Sequence, residues 1–298
     1  MNIDPGRFRG CLLGLAVGDA IGSTVEFRQR GSFPPVTDMV GGGIFGLKAG
    51  QWTDDTSMAL CLATSLNTKK GFDPMDQMER YWCWYQNGYL SSTGDCFDIG
   101  NTVKQALYDF NRTGNAWSGL TDPYSAGNGS LMRLAPVPLY YFPDREKTVH
   151  FAGESSRTTH GAQECIEACQ LFAEMICLAL SGQGKEQVLF QTQVSLISPK
   201  IKAIAQGNYS SKPISQIRGT GYVVESLEAA LWCFYETDSF EAAILQAANL
   251  GDDADTTAAI CGQIAGAFYG ETGIPEKWLN NLHMRQEILE LADQLCNK

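Results

Sequence analysis

Residues 250–267 set a dense patch of acid directly ahead of a run of small side chains, and that combination narrows what the chain can fold into. Three carboxylates and two hydroxyls stand within Asp252-Asp253-Ala254-Asp255-Thr256-Thr257. Ala258, Ala259, Gly262, Ala265, Gly266 and Ala267 follow. Acid-rich residues before an apolar run read as the first turn of a helix. Side chains this small let such a helix pack closely in the middle of a bundle. A second stretch has the same build: Gly50-Gln51-Trp52-Thr53-Asp54-Asp55-Thr56 opens an apolar helix from Met58 to Leu66. The two helix starts are expected to face each other and to share metal ions.

The rest of the chain is predicted to be helical. Residues 7–22 form a helix with close-packing glycines at 10, 14, 18 and 22, and Asp19 lies inside this apolar run. Three- and four-residue steps of Ile166, Cys169, Ala173, Ile176 and Leu180 mark a helix over 162–181. A helix from Asp73-Pro74 carries Met78, Tyr81, Trp82, Trp84 and Tyr85, an aromatic cluster that reads as core. Gly94 to Thr102 opens a helix that runs to about residue 111. Further helices are expected at 145–156, 184–195, 198–206, 222–237, 239–249 and 284–296. Pro136 and Pro138 limit Leu131–Tyr141 to short helical pieces. Two Gly-rich loops, 28–51 and 113–129, are long enough to be functional or mobile. Extended signals are short, and no repeat or linker interrupts the chain. One all-α domain spanning 1–298 is expected.

Charge and cysteine usage exclude several function classes. A net charge of −11 with no basic stripe disfavours nucleic acid and acidic membranes, which bind through cationic patches. The ten cysteines form no CxxC pair and read as free thiols of a reducing compartment. Gly14, Gly18 and Asp19 break the N-terminal apolar run, so it is neither a signal peptide nor a membrane span. A cytoplasmic protein is expected.

Capping explains one acid per helix start, because Asp and Thr accept orphan backbone N–H bonds there. It does not explain Asp54 beside Asp55, or Asp253 with Asp255, since neighbouring carboxylates repel unless a cation neutralises them. All-oxygen donors with no Cys or His point to Mg²⁺ or Mn²⁺. Thr53, Asp54, Asp55, Asp253, Asp255 and Thr256 suffice for two ions about 4 Å apart. An EF-hand starting at Asp253 would need Gly where Ala258 stands. The aspartate spacing does not suit a terpene-synthase motif either, which argues against a Mg²⁺-dependent diphosphate lyase; product analysis with an isoprenyl diphosphate would settle that alternative.

Other candidates are weaker when read alone. Asp98, between Phe97 and Ile99, is an acid flanked by apolar residues and suits proton transfer, although a helix cap accounts for it equally well. His160 is a lone histidine after Thr158-Thr159, and a lone histidine is more often a satisfied structural residue than a catalyst. Gly127-Asn128-Gly129 is either a plain loop or a close backbone approach to an anionic ligand through its amides. Tyr222 either stacks on a flat ring or caps the core. His150 and His283 have no chemical neighbours in sequence.

Taken together, the blocks resemble the ADP-ribosylglycohydrolases, most closely the bacterial dinitrogenase reductase-activating glycohydrolases. The matching residues are Gly14 to Gly22 with Val25-Glu26-Phe27, Gly50 to Thr56, Asp98 to Thr102, Gly127-Asn128-Gly129 through Met132-Arg133, Thr159-His160, Tyr222-Val223-Val224 and Gly251 to Thr257. They keep the family's order over nearly the whole chain. The resemblance implies an orthogonal all-α bundle with a central two-metal cleft, in which the six oxygen-bearing residues hold the two ions. It implies an acid/base role for Asp98 in arginine-directed members and an important role for Glu26 in serine-directed ones. It also implies ADP-ribose contacts from Ser125 to Gly129 and from His160. Asp252 stands where relatives often carry Gly. The implied reaction is release of ADP-ribose from a modified protein, most plausibly at arginine; a serine linkage or a non-catalytic ADP-ribose-binding module are the alternatives. In a chain this acidic, the pyrophosphate would be held by the amides of the glycine turn, with Arg133 a further candidate.

Overall fold

The structure, a computed structural model, describes residues 4–298. Fourteen α-helices are present among them: α1 (Pro5–Gly22), α2 (Asp54–Lys69), α3 (Pro74–Asn87), α4 (Asn101–Thr113), α5 (Pro136–Tyr141), α6 (Arg145–Arg157), α7 (Gln163–Leu180), α8 (Lys185–Phe190), α9 (Pro199–Ala205), α10 (Val223–Glu236), α11 (Phe240–Ala248), α12 (Ala254–Tyr269), α13 (Glu276–Asn281) and α14 (Arg285–Cys296). The described residues contain no strand, only isolated bridges such as Gly127 with Tyr222. None of the described helices is long and apolar enough to cross a membrane.

The centre of the molecule is the crossing of α1 and α12. Every residue of α1 from Gly10 to Gly22 is buried, and so is every residue of α12 from Ala254 to Ala267. A helix buried all round needs neighbours on every side, and here α2, α7, α10, α11 and α14 supply them. The two helices run antiparallel and touch backbone to backbone. A Cβ on Gly10 would lie 2.4 Å from the Gly266 carbonyl oxygen, on Gly14 2.2 Å from that of Gly262, and on Gly18 2.1 Å from that of Ala258. The contact is reciprocal, since a Cβ on Gly262 would lie 2.0 Å from the Gly14 oxygen. Both helices thus carry a small residue every fourth position along one shared seam.

A second apolar cluster joins α2, α3 and α4 through Met58, Tyr81, Trp84, Val103 and Leu107. Met78, Tyr81 and Trp84 are fully buried, so this part of the aromatic cluster is core as expected; Trp82 and Tyr85 lie on its outer side against Tyr108. Local signals set the ordinary helix ends: Asp73 caps α3 through the Asp76 N–H at 3.1 Å, ahead of Pro74.

Two expectations change. The helix over 184–195 stops at Phe190. Two buried carboxylates of α7 capture the following segment in extended form. Glu174 accepts the N–H of Gln193 (2.7 Å) and Val194 (3.2 Å), and Glu167 those of Ile197 (2.7 Å) and Ser198 (2.8 Å). Helix α13 was not expected; it follows Pro275 and buries Trp278, whose indole N–H donates to Asp38. The long loop 28–51 is also tied down. Asn249 bonds both backbone groups of Val36, at 2.8 and 2.9 Å, and Arg30 donates to the Leu250 carbonyl at 3.1 Å.

Gly18→Ala should lower stability by about 3 kcal/mol, because its methyl has only the Ala258 backbone to displace. Denaturant unfolding reads this directly, and a wild-type midpoint would show that the helices do not touch through their backbones.

Candidate active site

The acidic starts of α2 and α12 meet at one end of the central crossing. Neither helix is capped by the side chain at its own N-cap position, Thr53 or Asp253. Helix α2 is capped instead by Asp19 of α1. One Asp19 oxygen accepts the Thr53 N–H (2.8 Å) and hydroxyl (2.9 Å), and the other accepts the Thr56 N–H (3.0 Å) and hydroxyl (2.6 Å). This leaves Asp54 and Asp55 free of capping duty. The Thr53 hydroxyl lies 3.3 Å from oxygens of both Asp55 and Asp255, and the Thr256 hydroxyl 3.4 Å from Asp55. Asp255 also accepts the Thr256 N–H at 2.7 Å. The two helix starts are therefore interlocked.

Glu26 and Asp98 close over this acidic floor. Their carboxylate oxygens and one of Asp255 all lie within 4.8 Å of one another. Together with Asp54, Asp253 and Thr256 they line a cavity of about 220 Å³, while Thr53, Asp55 and Asp255 lie buried. Burial, and then the neighbouring carboxylates, push Asp54, Asp55 and Asp255 well above the usual carboxylate range. Burial also pushes Glu26 up to about 9 and Asp98 to about 7. Among the described residues no lysine, arginine or histidine forms an ion pair with any of these acids. One oxygen of Asp55 and one of Glu26 are buried with no hydrogen-bond partner. Such groups are costly unless a proton or a cation meets them. An all-oxygen set with orphaned carboxylate oxygens fits a hard divalent cation.

The opposite wall is uncharged. Residues 126–128 pair with 221–223 through Val223 N–H to Ala126 (3.0 Å) and Asn128 N–H to Gly221 (3.1 Å). The Gly127 N–H is bound to Ser125, so Gly129 is the residue of the Gly-Asn-Gly turn whose amide has no partner among the described residues. The Asn128 side chain donates to Asp253 at 2.7 Å and holds that carboxylate in place. His160 packs beneath the turn; a Cβ on Gly129 would lie 2.8 Å from its ring.

The hydrogen bonds around His160 accommodate a tautomer protonated at Nε2. Its Nδ1 lies 2.9 Å from the Thr159 hydroxyl, which accepts from Arg133 at 2.7 Å. A guanidinium only donates, so the hydroxyl proton is free to go to Nδ1; in that arrangement Nε2 carries the imidazole proton. Burial, and next the charge of Arg133, push His160 down to about 3, so the ring is neutral. Arg133 itself is not at the ligand face. It is fully buried, donates to the Gly129 carbonyl at 2.9 Å and stacks 4.7 Å from the Tyr81 ring centre. Its expected contact with a pyrophosphate is therefore replaced by a structural one.

Two other expected residues sit further out. Tyr222 lines an adjoining cavity of about 580 Å³ that shares Gly127 and Gly221 with the first. Its hydroxyl is bonded to Lys200 (2.6 Å) and Glu164, which fixes the ring. Ser125 lines neither cavity, and its hydroxyl donates to the Asp122 carbonyl at 2.6 Å. Asp19 and Thr159 act here without having been singled out as site residues. A carboxylate inside an apolar glycine-spaced run was the available signal for Asp19. Asp252 has φ +57°, a region where glycine is at ease, and its backbone bonds Phe27 (2.7 Å) and Arg28 (2.8 Å).

The chain matches the family model described as ADP-ribosylglycohydrolase over residues 2–298. It is 46% identical to the ADP-ribosylarginine hydrolase Tri1 of Pseudomonas putida (strain GB-1), covering 98% of this chain and 78% of that protein. It is 32% identical to the ADP-ribosyl-[dinitrogen reductase] glycohydrolase of Rhodospirillum rubrum, covering 94% and 92%. A solved structure described as an ADP-ribosylglycohydrolase-related protein complex superposes with a TM-score of 0.87 at 42% identity over 98% of both chains.

Two measurements follow from the geometry. Glu26, Asp98 and Asp19, the last pushed to about 6 by burial, hold protons more tightly folded than unfolded. At these carboxyls, between the unfolded value near 4 and about 9, the folded chain binds more protons, so their contribution to stability falls as pH rises and outweighs the opposite one of His160. In chelator, thermal unfolding should occur at a lower temperature at pH 8 than at pH 6. Separately, Thr159→Val removes the donor to His160 Nδ1 and should mix the ring tautomers, whereas Thr159→Ser should keep the Nε2 proton. Nitrogen NMR of His160 distinguishes them.

Proposed function

The chain belongs to the ADP-ribosylglycohydrolase family, and from that premise we propose that it hydrolyses the glycosidic bond between ADP-ribose and a modified arginine side chain. The support is its 46% and 44% identity over nearly its whole length to two proteins named as ADP-ribosylarginine hydrolases. The observation that carries the chemistry is the convergence of Glu26 and Asp98 over two interlocked acidic helix starts in one cavity. We take residues 1–298 as one catalytic domain. Its ten unpaired cysteines suit a reducing cytoplasm.

Thr53, Asp54, Asp55, Asp253, Asp255 and Thr256 would hold two divalent cations, Mg²⁺ or Mn²⁺. Such ions, when bound, supply a template and Lewis acid for the ribose hydroxyls. Asp19 and Asn128 keep the ligand set aligned from behind. The Glu26–Asp98 pair stores the proton. Two carboxyls this close do not ionise together easily. The protonated member supplies a proton to the departing guanidine nitrogen, and the ionised one takes a proton from the attacking water. On the uncharged wall, the His160 Nε2–H and the Gly129 N–H donate to oxygens of the ADP-ribose. The rest of the nucleotide extends past Gly127 into the cavity beside Tyr222. Ser125 contributes only through the shape of its loop.

The deciding experiment incubates the protein with arginine-linked and serine-linked ADP-ribosyl peptides, each in Mg²⁺, Mn²⁺ and chelator. Release of ADP-ribose from the arginine conjugate, lost in chelator and lowered at least about 10³-fold by Asp55→Asn or Asp255→Asn, is expected. Release from the serine conjugate alone would overturn the arginine assignment. Undiminished turnover in chelator would overturn the cation site. Tight ADP-ribose binding with no release from either peptide would make the chain a binding module.

A further inference from the structure

Each of the two acids at the mouth of the cavity has a phenylalanine as its chain neighbour: Phe27 follows Glu26, and Phe97 precedes Asp98. Phe45 joins them. Its ring lies 6.5 Å from Phe27 at 73° and 5.2 Å from Phe97 at 58°. Phe27 lines the cavity with Glu26 and Asp98, yet is 62% exposed. Its backbone has φ +59°, and that of Asp98 +61°. A bulky side chain rarely takes this conformation. At Phe27 it is held by the bonds to Asp252 at 2.7 Å and from Asp252 to Arg28 at 2.8 Å. Packing does not account for backbone strain that turns a phenyl ring toward solvent; strain of this kind gathers where a ligand is held. Independently, Glu26 is 4% exposed and one of its oxygens lacks any partner.

We infer that Phe27, braced by Phe45 and Phe97, is the seat of the leaving group: the planar cationic guanidinium of the modified arginine lies on its ring, with N–H groups directed at Glu26 and Asp98. The inference rests on the arginine-directed reading above. Charge complementarity selects this occupant. A guanidinium is flat, weakly hydrated and cationic, so it gains from an aromatic face and from carboxylates at once. A serine oxygen offers neither a plane nor a charge. The adjoining cavity beside Tyr222 lies on the far side of Gly127 and Gly221, which keeps the purine from competing for this ring.

The test compares Phe27→Ala, Phe27→Leu and Phe27→Trp with wild type on an arginine-linked ADP-ribosyl peptide, and measures ADP-ribose affinity for each. Phe27 is exposed, so all three variants should fold. Ala and Leu should each raise KM for the peptide about ten-fold, as for a lost cation–π contact, Trp should restore it, and ADP-ribose affinity should not change. Free arginine should inhibit wild type more than free lysine does, and that difference should vanish in Phe27→Ala. Full restoration by Leu would show that the ring meets an apolar part of the substrate protein and overturn the guanidinium seat. So would an equal loss of ADP-ribose affinity, or no effect in any variant. If wild type releases nothing from the arginine conjugate, the arginine reading itself has failed, and that is known before any variant is compared.

Discussion

The distance between two helix axes governs this structure. Helices α1 and α12 touch through their main chains, with Gly10, Gly14 and Gly18 set against Gly266, Gly262 and Ala258. Backbone against backbone leaves no side-chain slack, so the rotation and register of one helix fix those of the other. Asp19 follows Gly18, and Ala254 sits opposite Gly22. The seam therefore delivers the carboxylate of α1 and the acidic start of α12 to the same level. Asp19 then captures the N-terminus of α2 with four hydrogen bonds. Three helices are thereby positioned around one point before any residue of the cavity is considered.

Accumulating acids at that point opposes folding. Burial and mutual repulsion raise the carboxyls of Asp54, Asp55 and Asp255 far from their ordinary range. A sequence selected only for stability would place apolar groups there. The packed seam offsets the penalty, because α1 and α12 bury their whole central lengths. The surrounding loops carry further strain in the left-handed residues Phe27, Asp98 and Asp252. Strain and repulsion coincide around one cavity, and the scaffold beside it is a seam packed backbone to backbone.

The sequence was informative where the signal was local. Doubled acids before apolar runs marked both helix starts, and the small-residue spacing marked the buried helices. Periodicity in 162–181 was enough to place α7 within a residue at each end. Where a long-range bond decided the outcome, the sequence was silent. Glu167 and Glu174 end α8 from another helix, across separations of 19 to 31 residues. Asp19 caps a helix 34 residues away. Arg133 read as a pyrophosphate candidate near a glycine turn, but its partners are two carbonyls, two threonines and a tyrosine ring inside the core. A charge says nothing in sequence about which way its side chain turns. Helix α13 is only six residues long and depends on the burial of Trp278.

A chain of net charge −11 that handles a pyrophosphate faces an electrostatic conflict, and the division of its site into two walls resolves it. The acidic wall is suited to cations, whether divalent ions or a guanidinium. The other wall holds only neutral donors. His160 is kept neutral by burial and by the charge of Arg133, which stands behind it and is joined to the ring through the Thr159 hydroxyl and to the turn through the Gly129 carbonyl. An exposed arginine in the same place would bind phosphate more strongly, but it would also pair with Glu26 or Asp98 and hold them ionised. Keeping the positive charge inside the core leaves the carboxylates unpaired. The buried arginine and the unpaired acids are thus two sides of a single arrangement, and neither residue can be understood from its own charge alone.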